Sequence, residues 1–213
     1  MPADVTLRRL TPQLGDDLLG FLGSAFPDNP HWASCFCAFH HVSNHSDGEW
    51  GKRSAEQNRE LRTRLIAEGR THGVLAYRDG EVVGWCHADP RVDLNRFEDW
   101  GDLDPAKRPP DIERIGAIVC FVVRPGMRRQ GIAKRLLEEA CALLADMGLE
   151  FAEGYPQAEV ATEARDGLSV EALNYQGTPA LYAAAGFAPH MVVEPVAVMR
   201  RPLRHPGGAG PIL

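Results

Sequence analysis

From Ile115 to Val123 the chain passes through an almost unbroken series of apolar side chains and then stops at Arg124-Pro125-Gly126. A strand with both faces out of water has that pattern, so the segment predicts a central strand in a sheet covered by helices. Downstream, Ala133, Leu136, Leu137, Ala140, Leu143, Leu144 and Met147 recur at three- and four-residue spacing ahead of Gly148, which predicts an amphipathic helix with a glycine stop. Leu149 to Tyr155 reads as the next strand. Strand, turn, helix and strand in this order place the chain in the mixed α/β class.

The flanking segments fit one domain. Val5 to Leu10 alternates as a short strand, and Pro12 followed by Leu14, Leu18, Leu19 and Leu22 predicts a helix with proline in its first turn. A second helix is expected over Ser54 to Glu68, with Leu61, Leu65 and Ile66 on one side. Gly73 to Tyr77 and Val82 to Cys86 flank Asp79-Gly80, the strongest short hairpin signal in the chain. Residues 89–112 and 157–171 are polar and non-periodic and read as surface loops. Pro179 to Ala185 reads as a short helix capped by Gly186, and Met191 to Met199 as one last strand. The expected organisation is a single domain over 1–203 and a flexible tail over 204–213.

Hydrophobic residues make up 44% and charged residues 24%, which excludes collagen, a continuous coiled coil and wholesale disorder. Lys and Arg total 23 against 29 Asp and Glu, a net charge of -6. That balance disfavours nucleic acid and anionic membrane as partners, because a polyanion needs a cationic counter-surface. No apolar run reaches the roughly eighteen residues that a membrane helix needs. Five scattered cysteines fit reduced thiols. With no basic-then-apolar leader pattern at the N-terminus, the expected compartment is the cytoplasm.

The chemistry concentrates after the central strand, in Arg124-Pro125-Gly126-Met127-Arg128-Arg129-Gln130-Gly131-Ile132-Ala133. A helix N-terminus presents unpaired N–H groups and the positive end of the helix dipole, which attract phosphate. Gly131 permits close backbone approach, and Arg128 and Arg129 add positive charge. A plain strand-to-helix connection with solvated arginines has the same composition. Arg128-x-x-Gly131-x-Ala133, placed between strand and helix, resembles the acetyl-CoA motif of the GNAT N-acetyltransferase superfamily, (Gln/Arg)-x-x-Gly-x-(Gly/Ala). Downstream, Leu181-Tyr182-Ala183-Ala184-Ala185-Gly186-Phe187 resembles the family's Leu-Tyr-x-x-x-Gly-Phe segment. The resemblance covers about residues 72–200. It departs at the position seven before the motif tyrosine, where the family often has Asn; here that position is Tyr175, with Asn174 one place away.

The resemblance implies a strongly twisted mixed sheet flanked by helices, with splayed central strands that admit acetyl-CoA. It implies that backbone groups of Val122 and Val123 pair with the pantetheine arm and that Arg128, Arg129, Gln130, Gly131, Ile132, Ala133 and Lys134 hold the pyrophosphate. It also implies that Tyr182 protonates the departing thiolate, a role that suits a phenol because it is neutral at pH 7. For the base, Glu153 shares one face of its strand with Phe151 and Tyr155, while Glu113 and His87 compete with it.

Residues 31–45 gather His31, Cys35, Cys37, His40, His41 and His45 among Trp32, Phe36 and Phe39. Cys-x-Cys is not a zinc-knuckle spacing, and on a strand Cys35 and Cys37 would share one face. Three readings stand: acceptor-pocket lining, a structural metal, or a nucleophilic Cys35 or Cys37, for which no activating histidine is identifiable in the sequence. The expected substrate-binding residues are Trp32, Cys35, Phe36, His87 and Tyr155, with no metal. The expected activity is direct acetyl transfer from acetyl-CoA to a primary amine of a small molecule in a ternary complex. The acidic loops favour a cationic acceptor, and a homodimer is the expected assembly. The alternatives are a protein or peptide amine as acceptor, and a non-catalytic acyl-CoA-binding sensor.

Overall fold

Strand alternation and helix periodicity produce the expected elements, and the computed structural model describes them over residues 4–24, 32–99, 109–164 and 166–203. The strands are β1 (Thr6–Arg9), β2 (Gly73–Arg78), β3 (Glu81–Pro90), β4 (Ile115–Val123), β5 (Phe151–Gly154), β6 (Ala188–Val193) and β7 (Val196–Pro202). The helices are α1 (Gly15–Leu22), α2 (Trp32–Cys35), α3 (Ala55–Ala67), α4 (Ile132–Asp146), α5 (Val170–Leu173) and α6 (Pro179–Ala183). His31, residues 100–108 and the tail over 204–213 lie outside the described residues. None of the described helices is long and apolar enough to cross a membrane.

The local chemistry accounts for the element ends. Asp79 and Gly80 both take positive φ, 52° and 83°, the two-residue turn whose twist matches the flanking strands. Ser54 and Gln57 cap α3 reciprocally, which satisfies two N–H groups of its first turn. The seven strands form one mixed sheet in the order β1-β2-β3-β4-β5-β7-β6. Among the described strands only β4 and β5 run parallel, and α4 is the crossover between them. One face buries Leu136, Leu137, Ala140 and Leu144 of α4 against Val74, Ala76, Cys86 and Ile118. The opposite face buries Leu18 and Leu22 of α1 and Ile66 of α3 against Leu75, Trp85, Cys120 and Val122.

Three segments differ from the sequence reading. The single last strand is the β6–β7 hairpin, reversing at Glu194-Pro195, with Val192 62% exposed. An edge strand with one wet face carries too weak an alternation to separate from its neighbour. Residues 89–99 are not a surface loop: Asp89 and Pro90 still belong to β3, and Arg91, Leu94, Arg96 and Phe97 are buried. In the second loop, Val170–Leu173 is helical with Ser169 as its side-chain cap, and Gln157 bridges to Val196.

The feature that positions the site is a bulge. Across β3 and β4, His87 faces Cys120 but Ala88 faces Ile118, so Val119 is an extra residue. Bulges bend a strand and end its pairing. β5 leaves β4 at the same place, since the last parallel partners are Ile118 and Gly154. The ring of Tyr182 fills the vertex where the two strands part: a Cβ on Gly154 would lie 2.0 Å from its Cε1. Gly154→Ala is therefore expected to destabilise the fold by about 1–3 kcal/mol, read as a lower urea midpoint. An unchanged midpoint would show that the ring does not rest on β5.

Candidate active site

Beyond the vertex, β4 has one edge without a neighbouring strand. Arg124 N–H donates to the Val83 carbonyl at 2.9 Å, so by the alternation of an antiparallel ladder Val122, opposite Trp85, is also turned toward β3. The backbone of Val122 thus faces away from the gap, and Phe121 and Val123 face it. Phe121 N–H donates to the Tyr175 carbonyl at 2.7 Å, and the Val123 carbonyl accepts from Arg128 Nε at 2.9 Å. The sequence does not show which edge of a central strand is open; that depends on β3 and the bulge.

The loop after β4 makes the floor of a cleft of about 310 Å³, lined by Val123, Arg128, Arg129, Gly131, Ile132, Ala133 and Lys134. Gly126, Arg129 and Gly131 all take positive φ, and Gln130 Nε2 braces the turn by donating to the Gly126 carbonyl at 2.9 Å. A side chain at Gly131 would meet open space, so its φ of 80° is what requires glycine. The first backbone bond of α4 runs from Arg135 N–H to the Gly131 carbonyl, which leaves the N–H groups of Ile132, Ala133 and Lys134 without a partner inside the helix. Arg128 also lies 3.7 Å from Glu171 and 5.7 Å from the Trp32 ring. Asn174 lines this cleft as well.

Tyr182 sits behind the cleft wall. It is fully buried, and its hydroxyl donates to the Gln176 carbonyl at 3.0 Å and lies 3.3 Å from that of Ile118. Its ring packs edge-on to Phe121 and Phe187. Burial pushes the phenol well above its ordinary range, so it stays protonated.

Glu153 and Tyr155 do share a face, as alternation predicts, but that face is closed. Glu153 accepts from Arg91 at 2.8 Å, from Arg200 at 2.8 Å and from the Tyr155 hydroxyl at 2.6 Å. Tyr155 in turn packs on Phe97 and under Arg91. Both residues are buried and line neither this cleft nor the chamber described next. Glu113 is exposed in the turn before β4.

A second chamber, of about 280 Å³, adjoins the first and shares Trp32 with it. Cys35, Cys37, His40, Cys120, Trp50 and Tyr175 are among its lining residues, and none of the described ones bears a carboxylate. Phe36 does not line it and packs into the α1 side of the core. Cys35 and Cys37 are not on a strand: Cys35 ends α2, and Phe36 and Cys37 take left-handed φ of 47° and 55°. Burial pushes the Cys35 thiol up to about 11. His40 is 4% exposed, and neither of its ring nitrogens has a hydrogen-bond partner among the described residues. Burial holds its pKa well below the ordinary value, so it is neutral at pH 7.

Behind Cys37, His87 is fully buried and does not itself reach the chamber. Its Nε2 lies 2.7 Å from Asp89 Oδ2, and His41 Nε2 lies 3.3 Å from the same oxygen. His72 Nδ1 is 2.7 Å from Oδ1. His41 Nε2 and His87 Nε2 lie 3.2 Å apart, and with Asp89 they form a buried group of three side chains whose ligand atoms are close enough to hold a metal ion; with Nε2 protonated, His87 donates to the carboxylate. Sequence reasoning missed Asp89, His40 as a chamber residue, Cys120 and Tyr175. The available signal was His87-x-Asp89, two residues of one strand face directed toward the Cys-x-Cys segment.

The family model for the acetyltransferase (GNAT) family matches residues 38–160. No curated protein sequence matches the chain significantly. Among solved structures, the PaiA N-acetyltransferase of Thermoplasma acidophilum in complex with coenzyme A is 13% identical, covers 93% of this chain and 99% of its own, and has a TM-score of 0.52. A GNAT superfamily phosphinothricin acetyltransferase of Sinorhizobium meliloti in complex with acetyl-CoA is 18% identical over 99% of this chain and 97% of its own, with a TM-score of 0.52. A ribosomal-protein-alanine N-acetyltransferase of Brucella melitensis is 15% identical over 93% and 99%, with a TM-score of 0.51. At these identities the similarity is one of fold.

The buried ion pair yields a test that separates structure from catalysis. Glu153→Ala leaves Arg91 charged and unpaired and is expected to destabilise the protein by about 3–5 kcal/mol, measured by urea unfolding. An unchanged midpoint with lost acetyl transfer would instead make Glu153 the base.

Proposed function

The chain belongs to the GNAT acetyltransferase family and is an acyl-CoA-dependent acetyltransferase, and on that premise we propose that it acetylates the primary amine of a small molecule held in the second chamber. The observation that carries this reading is the pair of adjoining chambers with Trp32 as their common wall. The first has the chemistry for the donor. Helix-terminal N–H groups of Ile132 to Lys134, with Arg128 and Arg129 beside them, suit a diphosphate. The edge of β4 at Phe121 and Val123 suits an amide-bearing arm, which would pair there beside, or in place of, the Tyr175 and Arg128 contacts. The family resemblance supports assigning the protonation of a departing thiolate to Tyr182, which stays protonated behind the cleft wall and would have to exchange its bond to the Gln176 carbonyl to do so.

The second chamber suits the acceptor. Its size and its walls of Trp32, Phe39, Trp50 and Tyr175 fit a compact apolar or aromatic body. Without a lining carboxylate it favours the neutral amine over a polycation, which redirects the expectation drawn from the acidic loops. His40, neutral and unpartnered, is the group we assign to take the proton from the incoming ammonium. Direct attack in a ternary complex and a covalent relay through the protein would both use these two chambers.

The assay is thiol release from acetyl-CoA against a panel of aromatic amines, aliphatic polyamines and peptide N-termini, with product identified by mass. Turnover on small aromatic or apolar amines is expected. Turnover only on peptides would move the acceptor to protein, and tight acetyl-CoA binding without release on any amine would indicate a sensor. Tyr182→Phe and His40→Gln are each expected to lower kcat by about 10²-fold, while calorimetry shows acetyl-CoA affinity retained. Loss of binding in either would remove that residue from the chemical step.

A further inference from the structure

We propose that Cys37, His87 and Asp89 form a nucleophilic relay, and that the acetyl group rests on the Cys37 sulfur between donor and acceptor. The proposal builds on the acetyltransferase reading and adds a covalent intermediate to it. Three observations carry it. First, the geometry is that of an oriented base. Cys37 Sγ lies 3.7 Å from His87 Nδ1, and the other ring nitrogen of His87 lies 2.7 Å from Asp89 Oδ2. With Nε2–H committed to Asp89, Nδ1 faces the thiol as acceptor. Second, Cys37 is a lining residue of the chamber, as is Cys120. Third, the backbone is held there against its preference. Phe36 and Cys37 are consecutive non-glycine residues in the left-handed region, a conformation that persists only where the surroundings impose it. The surroundings are Arg62, fully buried, which donates to the carbonyls of Phe36 and Cys37 and to the Thr71 hydroxyl.

A cysteine used only for packing needs none of this. Here Trp85 Nε1–H points at Sγ from 3.4 Å, and the charge balance around the sulfur favours the thiolate. Donation by the Cys120 thiol lowers the Cys37 pKa well below its ordinary value, against burial and together with His87 and Arg62. Burial and Arg62 oppose charge on His87, but Cys37 and Asp89 override them and shift it upward. Asp89 stays ionised despite burial because His41, His72 and His87 all donate to it. Of the other titratable groups facing this cluster, His40 and His41 are held neutral chiefly by burial, and burial likewise pushes the Cys35 thiol up to about 11.

The steps balance. Cys37 passes its proton to His87, and Sγ bonds to the thioester carbonyl carbon. The bond from that carbon to the coenzyme sulfur breaks, and coenzyme A leaves as the thiolate and takes a proton from solvent, while His87 keeps the proton from Cys37. The amine, neutralised by His40, then bonds to the same carbon. The carbon–Sγ bond breaks, Sγ takes back the proton held by His87, and the surplus amine proton leaves to solvent.

The test uses the full chain and acetyl-CoA without acceptor. A burst of coenzyme A equal to the enzyme present is expected, with one acetyl group on Cys37 by peptide mass spectrometry, and parallel double-reciprocal lines once amine is added. Cys37→Ala and Cys37→Ser should abolish burst and label and lower kcat on the order of 10³-fold or more, with acetyl-CoA binding by calorimetry retained as proof of folding. Asp89 acts as a positioning residue through His87. Asp89→Asn removes the negative charge that helps hold the His87 proton and should move the pH midpoint of the burst downward by about one unit, whereas a structural loss would lower only its amplitude. Turnover on an amine with converging lines, no label and a Cys37→Ala variant within tenfold of wild type would overturn the relay and leave the proposed function standing. Stoichiometric zinc in the purified protein would also overturn it, because an ion on His87 removes the base. Absence of acetyl-CoA binding by the wild type would end both readings.

Discussion

The parting of β4 from β5 after Ile118 and Gly154 is the constraint on which the rest depends. A strand in the middle of a sheet cannot leave one edge bare without finding other partners for its backbone. Here the substitutes are local and polar: the Tyr175 carbonyl, the Arg128 guanidinium and, at the vertex, the Tyr182 hydroxyl. Each comes from an element that borders the cleft, so the groups that complete the strand also build its walls. The bulge at Val119 sets the other half of the site. By shifting the alternation of β4 it turns Cys120 to the α1 and α3 side, opposite His87, where it lines the second chamber together with Cys37.

Burial of charge is the second organising element. Asp89 has no exposed surface, yet it remains a carboxylate because three imidazoles and the Thr71 hydroxyl donate to it. Arg62 supplies positive charge nearby and spends its donors on the strained turn at Phe36 and Cys37. Removing any one of these groups would leave another unsatisfied in a low-dielectric interior, where unpaired polar atoms are costly. Such a network is expensive as a purely structural device; an apolar core would hold the same helices together with less risk. A second buried cluster, around Glu153, ties β5 to the segment after β3 and to β7, and the residues it holds do not reach either chamber.

Much of the fold was legible because its signals are local. The apolar run of β4, the spacing of α4, the Asp-Gly hairpin and the Ser54 cap each depend on neighbours within a few residues. The turn after β4 was legible for the same reason, since positive φ, helix N–H groups and basic side chains are all encoded within Gly126 to Lys134. Legibility failed where partners are distant. Glu153 looked available as a base because its two arginines lie 62 and 47 residues away. Cys35 and Cys37 looked like strand residues because the left-handed turn between them is imposed by Arg62, 25 and 26 residues further on.

Sequence by itself determined the class of fold and the place of the glycine- and arginine-rich turn after β4, because both follow from backbone stereochemistry and short-range periodicity, while Tyr182 was marked out by its resemblance to a family motif. Only the tertiary structure decided which edge of β4 is open, which carboxylates are already paired and which histidine faces a cysteine. Those outcomes depend on a bulge and on contacts between segments that are far apart along the chain, and in a buried site the chemistry of a side chain is set by what it touches.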